Sequence, residues 1–158
     1  VKLTIVDQVD PENSYAGNLI RKYNLDGMVT FTGRLTNEEL VRQYAAAEIA
    51  VTASVYEGFG LPAAEAMACE APVIATTGGA LPEVVKDGET GILVPPQDPH
   101  ALARAIKLLL GDEPLRRRLS GEGRKRIEQC FSWEQAAKQA VDIYEEVRSR
   151  VNSSLVRA

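Results

Sequence analysis

One histidine and two cysteines are all this chain holds of the residues that most often bind metals or act as nucleophiles. His100 is the only histidine, and Cys69 and Cys130 show neither a CxxC nor a Cys/His spacing; no metal is implied, because Glu57 and Glu65 lack a nearby carboxylate or His cluster. Cys69, in an Ala-Met-Ala-Cys run, reads as a small apolar helix residue. A net charge of −4 argues against a general nucleic-acid binder. No apolar run is long enough to span a bilayer and no stretch has the pattern of a signal peptide, so a cytoplasmic location is expected. What remains is ordinary globular material: 158 residues, 45% apolar and 25% charged, enough for one domain with a real core.

The order of elements carries more information. Leu3-Thr4-Ile5-Val6 is β-rich and fits a strand buried on both faces. Ser14 can cap a helix to about Tyr23. Met28 to Thr32 reads as a second strand, and Thr36-Asn37-Glu38-Glu39 is a capping box opening a helix to about Ala47. Ile49 to Ala53 and Pro72 to Ala75 are further strands, with a helix from Pro62 between them. A Gly-Gly turn, a short helix from Pro82 and a last strand from Thr90 to Val94 follow. Asp98-Pro99 caps and starts a helix that stops at Gly111. The chain is helical from Pro114, and Ser132 with Gln135 opens a final helix of about five turns. Alternation of this kind predicts an α/β fold with a doubly wound parallel sheet over residues 1–150, followed by a frayed tail at 151–158.

The densest signal is Glu57-Gly58-Phe59-Gly60-Leu61-Pro62-Ala63-Ala64-Glu65-Ala66-Met67. Pro62 suits the first position of a helix, and nothing from Gly58 to Leu61 is a Ser, Thr, Asp or Asn that could cap it. The first N–H groups are therefore expected to be free, at the positive end of a helix dipole, where an anion such as phosphate binds. Glu57 precedes the helix and Glu65 is expected in its first turn. Both carboxylates accept hydrogen bonds without donating any, which suits them to hydroxyl groups. An anion site flanked by hydroxyl acceptors describes a nucleotide-sugar. A Gly-x-Gly turn alone would be commonplace, and the dipole alone favours a first-turn Glu; the whole run is more specific than either. Arg34-Leu35, Tyr56 to Leu61 and Thr76 to Gly79 each follow a predicted strand, so all three loops are expected on the rim where such sheets bind ligands.

This run resembles the E-x7-E signature of the retaining nucleotide-sugar glycosyltransferases with the two-domain GT-B fold. The resemblance continues through Ala68-Cys69-Glu70-Ala71-Pro72-Val73-Ile74-Ala75, Gly78-Gly79-Ala80-Leu81-Pro82-Glu83 and Asp87-Gly88-Glu89-Thr90-Gly91, with Val29 to Leu35 upstream. It covers roughly Lys2 to Glu146. It implies a Rossmann-like donor-binding domain that takes a UDP-, GDP- or ADP-sugar as substrate and needs no cofactor. Glu57 would be the catalytic position, holding hydroxyls of the donor sugar. Gly58, Phe59, Gly60 and Leu61, with Thr77, Gly78 and Gly79, would surround the sugar and diphosphate. Glu65 would accept the ribose hydroxyls, and Arg34 and Leu35 would meet the base through their backbone.

The resemblance also implies parts that the chain does not show. Two-domain members carry an acceptor-binding domain and a first strand with an Arg and a Lys before this region, so the sequence is expected to be a piece that lacks its first strand and turns over nothing alone. Asp7 and Glu70 stand where the family commonly has glycine; Pro72 can supply the helix stop. The cluster Arg116, Arg117, Arg118, Arg124, Lys125 and Arg126 could meet an anionic membrane, but Glu113, Glu122 and Glu128 beside it make a solvated helix face the better reading. Trp133 is expected to pack the last helix onto the domain and His100 to be exposed. Two other functions keep part of the pattern: a nucleotide-sugar-binding or regulatory module without turnover, and an interaction domain of the response-regulator type, for which Asp7 alone is thin support.

Overall fold

The computed structural model describes residues 1–10 and 12–155 and divides into two compact units, Val1–Gln43 and Tyr44–Ala158. In the first unit, strands β1 (Leu3–Ile5) and β2 (Val29–Phe31) pair in parallel, with Leu3 opposite Val29 and Ile5 opposite Phe31. Helix α1 (Tyr15–Lys22) makes the crossover between them. Ser14 caps it as its composition predicts, Oγ accepting the Gly17 N–H at 3.0 Å. Helix α2 (Asn37–Ala46) opens with the expected reciprocal box: the Glu39 carboxylate accepts the Thr36 N–H at 2.8 Å and the Thr36 hydroxyl accepts the Glu39 N–H at 3.3 Å. One expectation fails here. β1 is not buried on both faces: Leu3 is half exposed, and Val6 just past the strand nearly so.

The second unit holds a three-stranded parallel sheet in the order β3 (Ala50–Thr52), β4 (Val73–Thr76), β5 (Ile92–Val94). β4 lies in the middle and is buried throughout. Its side chains alternate between two cores, as a strand with both faces covered requires. Val73 and Ala75 join Ala63, Ala66 and Met67 of α3 (Leu61–Ala68), together with Leu81 and Val84 of α4 (Leu81–Val84). Ile74 joins Ala101, Ala105 and Leu109 of α5 (Pro99–Gly111) and Leu119 of α6 (Glu113–Cys130). Helices on both sides of parallel strands make the α/β architecture that the alternation predicts. The strands form two separate sheets, of two and three strands, rather than one.

Local differences have local causes. α3 begins at Leu61, not Pro62, so Pro62 takes the second position and Glu65 falls in the second turn instead of the first. Its end is not left to Pro72. Glu70 itself adopts a left-handed conformation (φ 59°), and the Ala71 N–H reaches Ala66 O at 2.9 Å while the Glu70 N–H reaches Met67 O at 3.0 Å. That pair of bonds is a Schellman motif built on a residue with a Cβ. Asp98 and Asp112 cap α5 and α6 through the N–H groups of Ala101 (2.8 Å) and Leu115 (2.9 Å). α7 (Trp133–Leu155) is longer than five turns and runs into the stretch expected to fray; residues 156–158 lie outside the described residues. Trp133 is 91% exposed, contrary to expectation. His100 is exposed as expected. No described helix is long and apolar enough to cross a membrane.

Candidate functional site

The second unit brings two of the three sequence-marked loops together. The Glu57 loop follows β3 and the Thr77-Gly78-Gly79 turn follows β4, so adjacent parallel strands deliver both to their carboxyl ends. The Ala80 N–H donates to Glu57 O at 2.9 Å, and the Thr76 hydroxyl donates to Ser54 O at 2.5 Å. Close approach is possible because of Gly79. It sits at φ 62°, and a Cβ there would lie 2.2 Å from Glu57 O. Gly78 is equally confined, with Val55 O 2.4 Å from the place of its missing Cβ. The double glycine is thus a lock between two loops, beyond the needs of a plain strand-to-helix turn.

Glu57 is half-buried in this lock. Its Oε1 accepts a hydrogen bond from the Ser54 hydroxyl at 2.7 Å, which leaves the other oxygen for a ligand. Ser54 is a partner of Glu57 that the sequence reading missed; its three-residue offset from Glu57 is a weak signal. Gly60, at φ 93°, is the residue before α3 and offers no capping side chain. Its carbonyl accepts the N–H groups of both Ala63 and Ala64 at 3.1 Å. Pro62 has no N–H to satisfy. The N–H groups of Phe59, Gly60 and Leu61 meet no acceptor among the described residues, so they remain as a short row of donors at the positive end of α3. The Phe59 ring packs edge-on against Phe131, with centroids 5.8 Å apart, which anchors the row to the end of α6.

Glu65 is exposed on α3. Tyr44 packs against the core cluster to which the buried residues of the same helix belong. Burial, followed by the negative charges of Glu65 and Cys69, pushes the Tyr44 hydroxyl up to about 12. The Cys69 thiol is also pushed up, by burial first and Glu65 second, so it is a poor nucleophile.

Arg34 and Leu35 follow β2 and belong to the first unit. In that unit, the carboxyl ends of β1 and β2 border an open cleft of about 460 Å³ lined by Asp7, Gln8, Val9, Asp10, Phe31, Thr32 and Gly33. Asp10 is occupied in shaping its own loop, accepting from the Glu12 N–H and the Asn13 amide, which hold its carboxyl below the usual range. The basic cluster of α6 is spent on structure. Arg116 donates to Leu109 O and Leu110 O, Arg118 to Gly88 O, and Arg126 to Val84 O and Glu83 O. Arg117, Arg124 and Lys125 pair with Glu113, Glu128 and Glu122. No group of three metal-ligating side chains occurs among the described residues.

Comparison with known proteins shows which proteins the chain is similar to. The profile of the family described as "Glycosyl transferases group 1" matches residues 1–126. An "MMP alpha-(1->4)-mannosyltransferase" of Mycolicibacterium hassiacum is 41% identical over 152 residues, 96% of this chain and 37% of that protein. A sucrose-phosphate synthase of Thermosynechococcus elongatus superposes with a TM-score of 0.84 at 42% identity, over 94% of this chain and 39% of that one. HepE of Anabaena, solved in complex with UDP, superposes with a TM-score of 0.83 at 25% identity, over 92% and 41% of the two chains. The chain therefore spans about two-fifths of the length of the relatives it matches.

Proposed function

The chain belongs to the glycosyl transferases group 1, and from that membership we propose that it is the donor-binding part of a retaining glycosyltransferase that moves a sugar from a nucleotide-sugar to an acceptor. The observation that carries this reading is the row of free N–H groups at Phe59, Gly60 and Leu61, set between two carboxylates on a locked pair of loops. The donor's diphosphate lies against that row. As the sugar–phosphate bond breaks, the leaving diphosphate gains charge, and fixed donors with a helix dipole behind them stabilise it without having to reorganise. Glu57, steadied by Ser54, holds hydroxyls of the sugar and so fixes the reacting carbon. Glu65 takes the ribose hydroxyls. Thr77, Gly78 and Gly79 close beside the sugar and phosphates.

The donor is a nucleoside-diphosphate sugar; the UDP complex of HepE supports that class, and loop shape rather than any side chain decides among UDP, GDP and ADP. The acceptor is bound by a domain that corresponds to the remaining length of the longer relatives, which also completes the catalytic set. The reaction takes place in the cytoplasm, with no membrane partner required.

The test is calorimetric titration with UDP, GDP and ADP, on the parent chain and on Glu65→Ala. One nucleotide binds the parent, and the substitution weakens it about 10- to 100-fold, the worth of hydrogen bonds to a charged acceptor, while the melting temperature of this exposed site stays unchanged. Equal affinity in both proteins contradicts the reading.

A further inference from the structure

The row of donors at Phe59, Gly60 and Leu61 has little of its own to hold it. Gly58 is open on the side that its missing Cβ would fill, Leu61 is exposed, and the three N–H groups form no bond among the described residues. Its attachments lead instead to α4. The Ala80 N–H, just before that helix, donates to Glu57 O, and Gly60 lies so near Leu81 that a Cβ would meet Leu81 Cδ2 at 2.7 Å. A third attachment is indirect. Phe131 is the C-cap of α6: its N–H bonds Ile127 O at 2.9 Å, and its ring packs on the core cluster that contains Leu81 and Val84. That ring meets the Phe59 ring edge-on. The Arg126 guanidinium lies over it, 5.4 Å from the ring centre, while Nε donates to Val84 O at 2.8 Å and Nη2 to Glu83 O at 2.7 Å. A planar guanidinium does both at once, because its donors lie in its plane and its face is left for a ring. The two carbonyls it takes are among those a helix end leaves without partners.

We propose that Phe131, clamped by Arg126, is the positioning residue for the N–H groups of Phe59, Gly60 and Leu61: it holds the Phe59 ring and so presents the row to the donor's diphosphate already ordered. This rests on the donor-site reading above and adds Phe131 and Arg126 to it. Neither side chain touches substrate. The clamp acts by preorganisation. Donors fixed before binding stabilise the leaving charge without reorganising, whereas a row that must first be ordered uses up part of the binding free energy. With glycine at 58 and 60, this loop has more backbone freedom to lose than most.

The test measures 15N order parameters and nucleotide affinity in the full chain, using whichever of UDP, GDP and ADP binds. Phe131→Leu removes the ring and keeps an apolar side chain. Arg126→Met keeps the stem and removes the guanidinium. Phe131→Tyr keeps the ring. In the unligated parent, the amides of Phe59, Gly60 and Leu61 have order parameters of about 0.85; in Phe131→Leu they fall below about 0.6, the flexible range. Arg126→Met lowers them in the same direction, while Ala101 and Leu115, bonded to their caps, stay rigid in every variant. Affinity falls about 3- to 10-fold, the worth of an edge-on ring pair, and Phe131→Tyr restores both readouts. In a Phe59→Leu background, Phe131→Leu weakens binding no further. Loosening that spreads to Ala101 and Leu115, or weaker binding without any change at the amides of the row, would show a general packing role and overturn the proposal. So would unchanged order parameters and affinity in Phe131→Leu. Arg126→Met leaves the apolar contacts of Phe131 in place and decides the matter if Phe131→Leu does not fold. If the parent binds none of the three nucleotides, the donor-site reading falls and takes this role with it. If Glu65→Ala weakens binding while Phe131→Leu changes neither affinity nor the amides of the row, only the positioning role is lost.

Discussion

Helices α1, α2, α5, α6 and α7 each start with a side-chain oxygen on a backbone N–H: Ser14, Thr36, Asp98, Asp112 and Ser132. α3 starts with Gly60 in a left-handed conformation and no side-chain cap. α4, a single turn, also lacks a side-chain cap, but the N–H groups at its start are taken by the backbone carbonyls of Glu57 and Gly78. Only at α3 is the start held open. A cap of the kind found elsewhere would satisfy these donors and add about 1 kcal/mol of stability. Forgoing it leaves the N–H groups of Phe59, Gly60 and Leu61 without an acceptor among the described residues. The contrast separates capped helix starts from one left uncapped, the start at which a ligand is proposed to bind, and it can be attacked from either side.

The largest effect is expected where the lock is broken. Gly79→Val places a Cβ against Glu57 O in a left-handed backbone, costing about 2–4 kcal/mol, and the Glu57 loop moves to relieve it. Thermal melting should show the loss of stability, and calorimetry should show nucleotide binding abolished. Intact binding would mean that the loop pair is not what shapes the site. The opposite pattern is expected at a structural cap. Asp98→Ala should lower the melting temperature by a few degrees and leave nucleotide affinity alone. Its pH dependence has a definite sign. Hydrogen bonding, chiefly from the Ala101 N–H, holds the folded-state pKa of Asp98 below the ordinary 3.8. Its contribution is therefore full above that value and is lost as pH falls through the lower folded value. The melting difference between parent and variant should close in strong acid and be widest at neutral pH. The smallest effect is at the far end of α3. Glu70→Gly relieves a left-handed residue at the Schellman position and should raise stability by about 1 kcal/mol in chemical denaturation, since its ion pair with Arg124 at 3.6 Å is exposed and adds little. No gain would show that Glu70 is not strained there.

Much of this was legible in the sequence. The capping residues Ser14, Thr36 and Asp98 announced their helices because the signal lies within four residues of itself. The uncapped start of α3 was legible because nothing from Gly58 to Leu61 is a capping side chain. Ser54 was not, since what matters there is a partner, Glu57, chosen by the course of one loop. The burial of β1 was misread because an apolar run says that a strand can be covered, not that it is. Trp133 was misread for the same reason. The stop of α3 was assigned to Pro72 because glutamate is a rare choice for a left-handed residue.

The contrast between closed and open helix starts is tested most directly by following backbone amides. In 15N-labelled protein titrated with UDP, GDP and ADP, the account predicts that the amide signals of Phe59, Gly60 and Leu61 shift strongly with one of them, while those of Gly17, Glu39, Ala101 and Leu115, already bonded to their caps, hold still. Shifts that bypass the start of α3, or that spread equally over the capped starts, would contradict it.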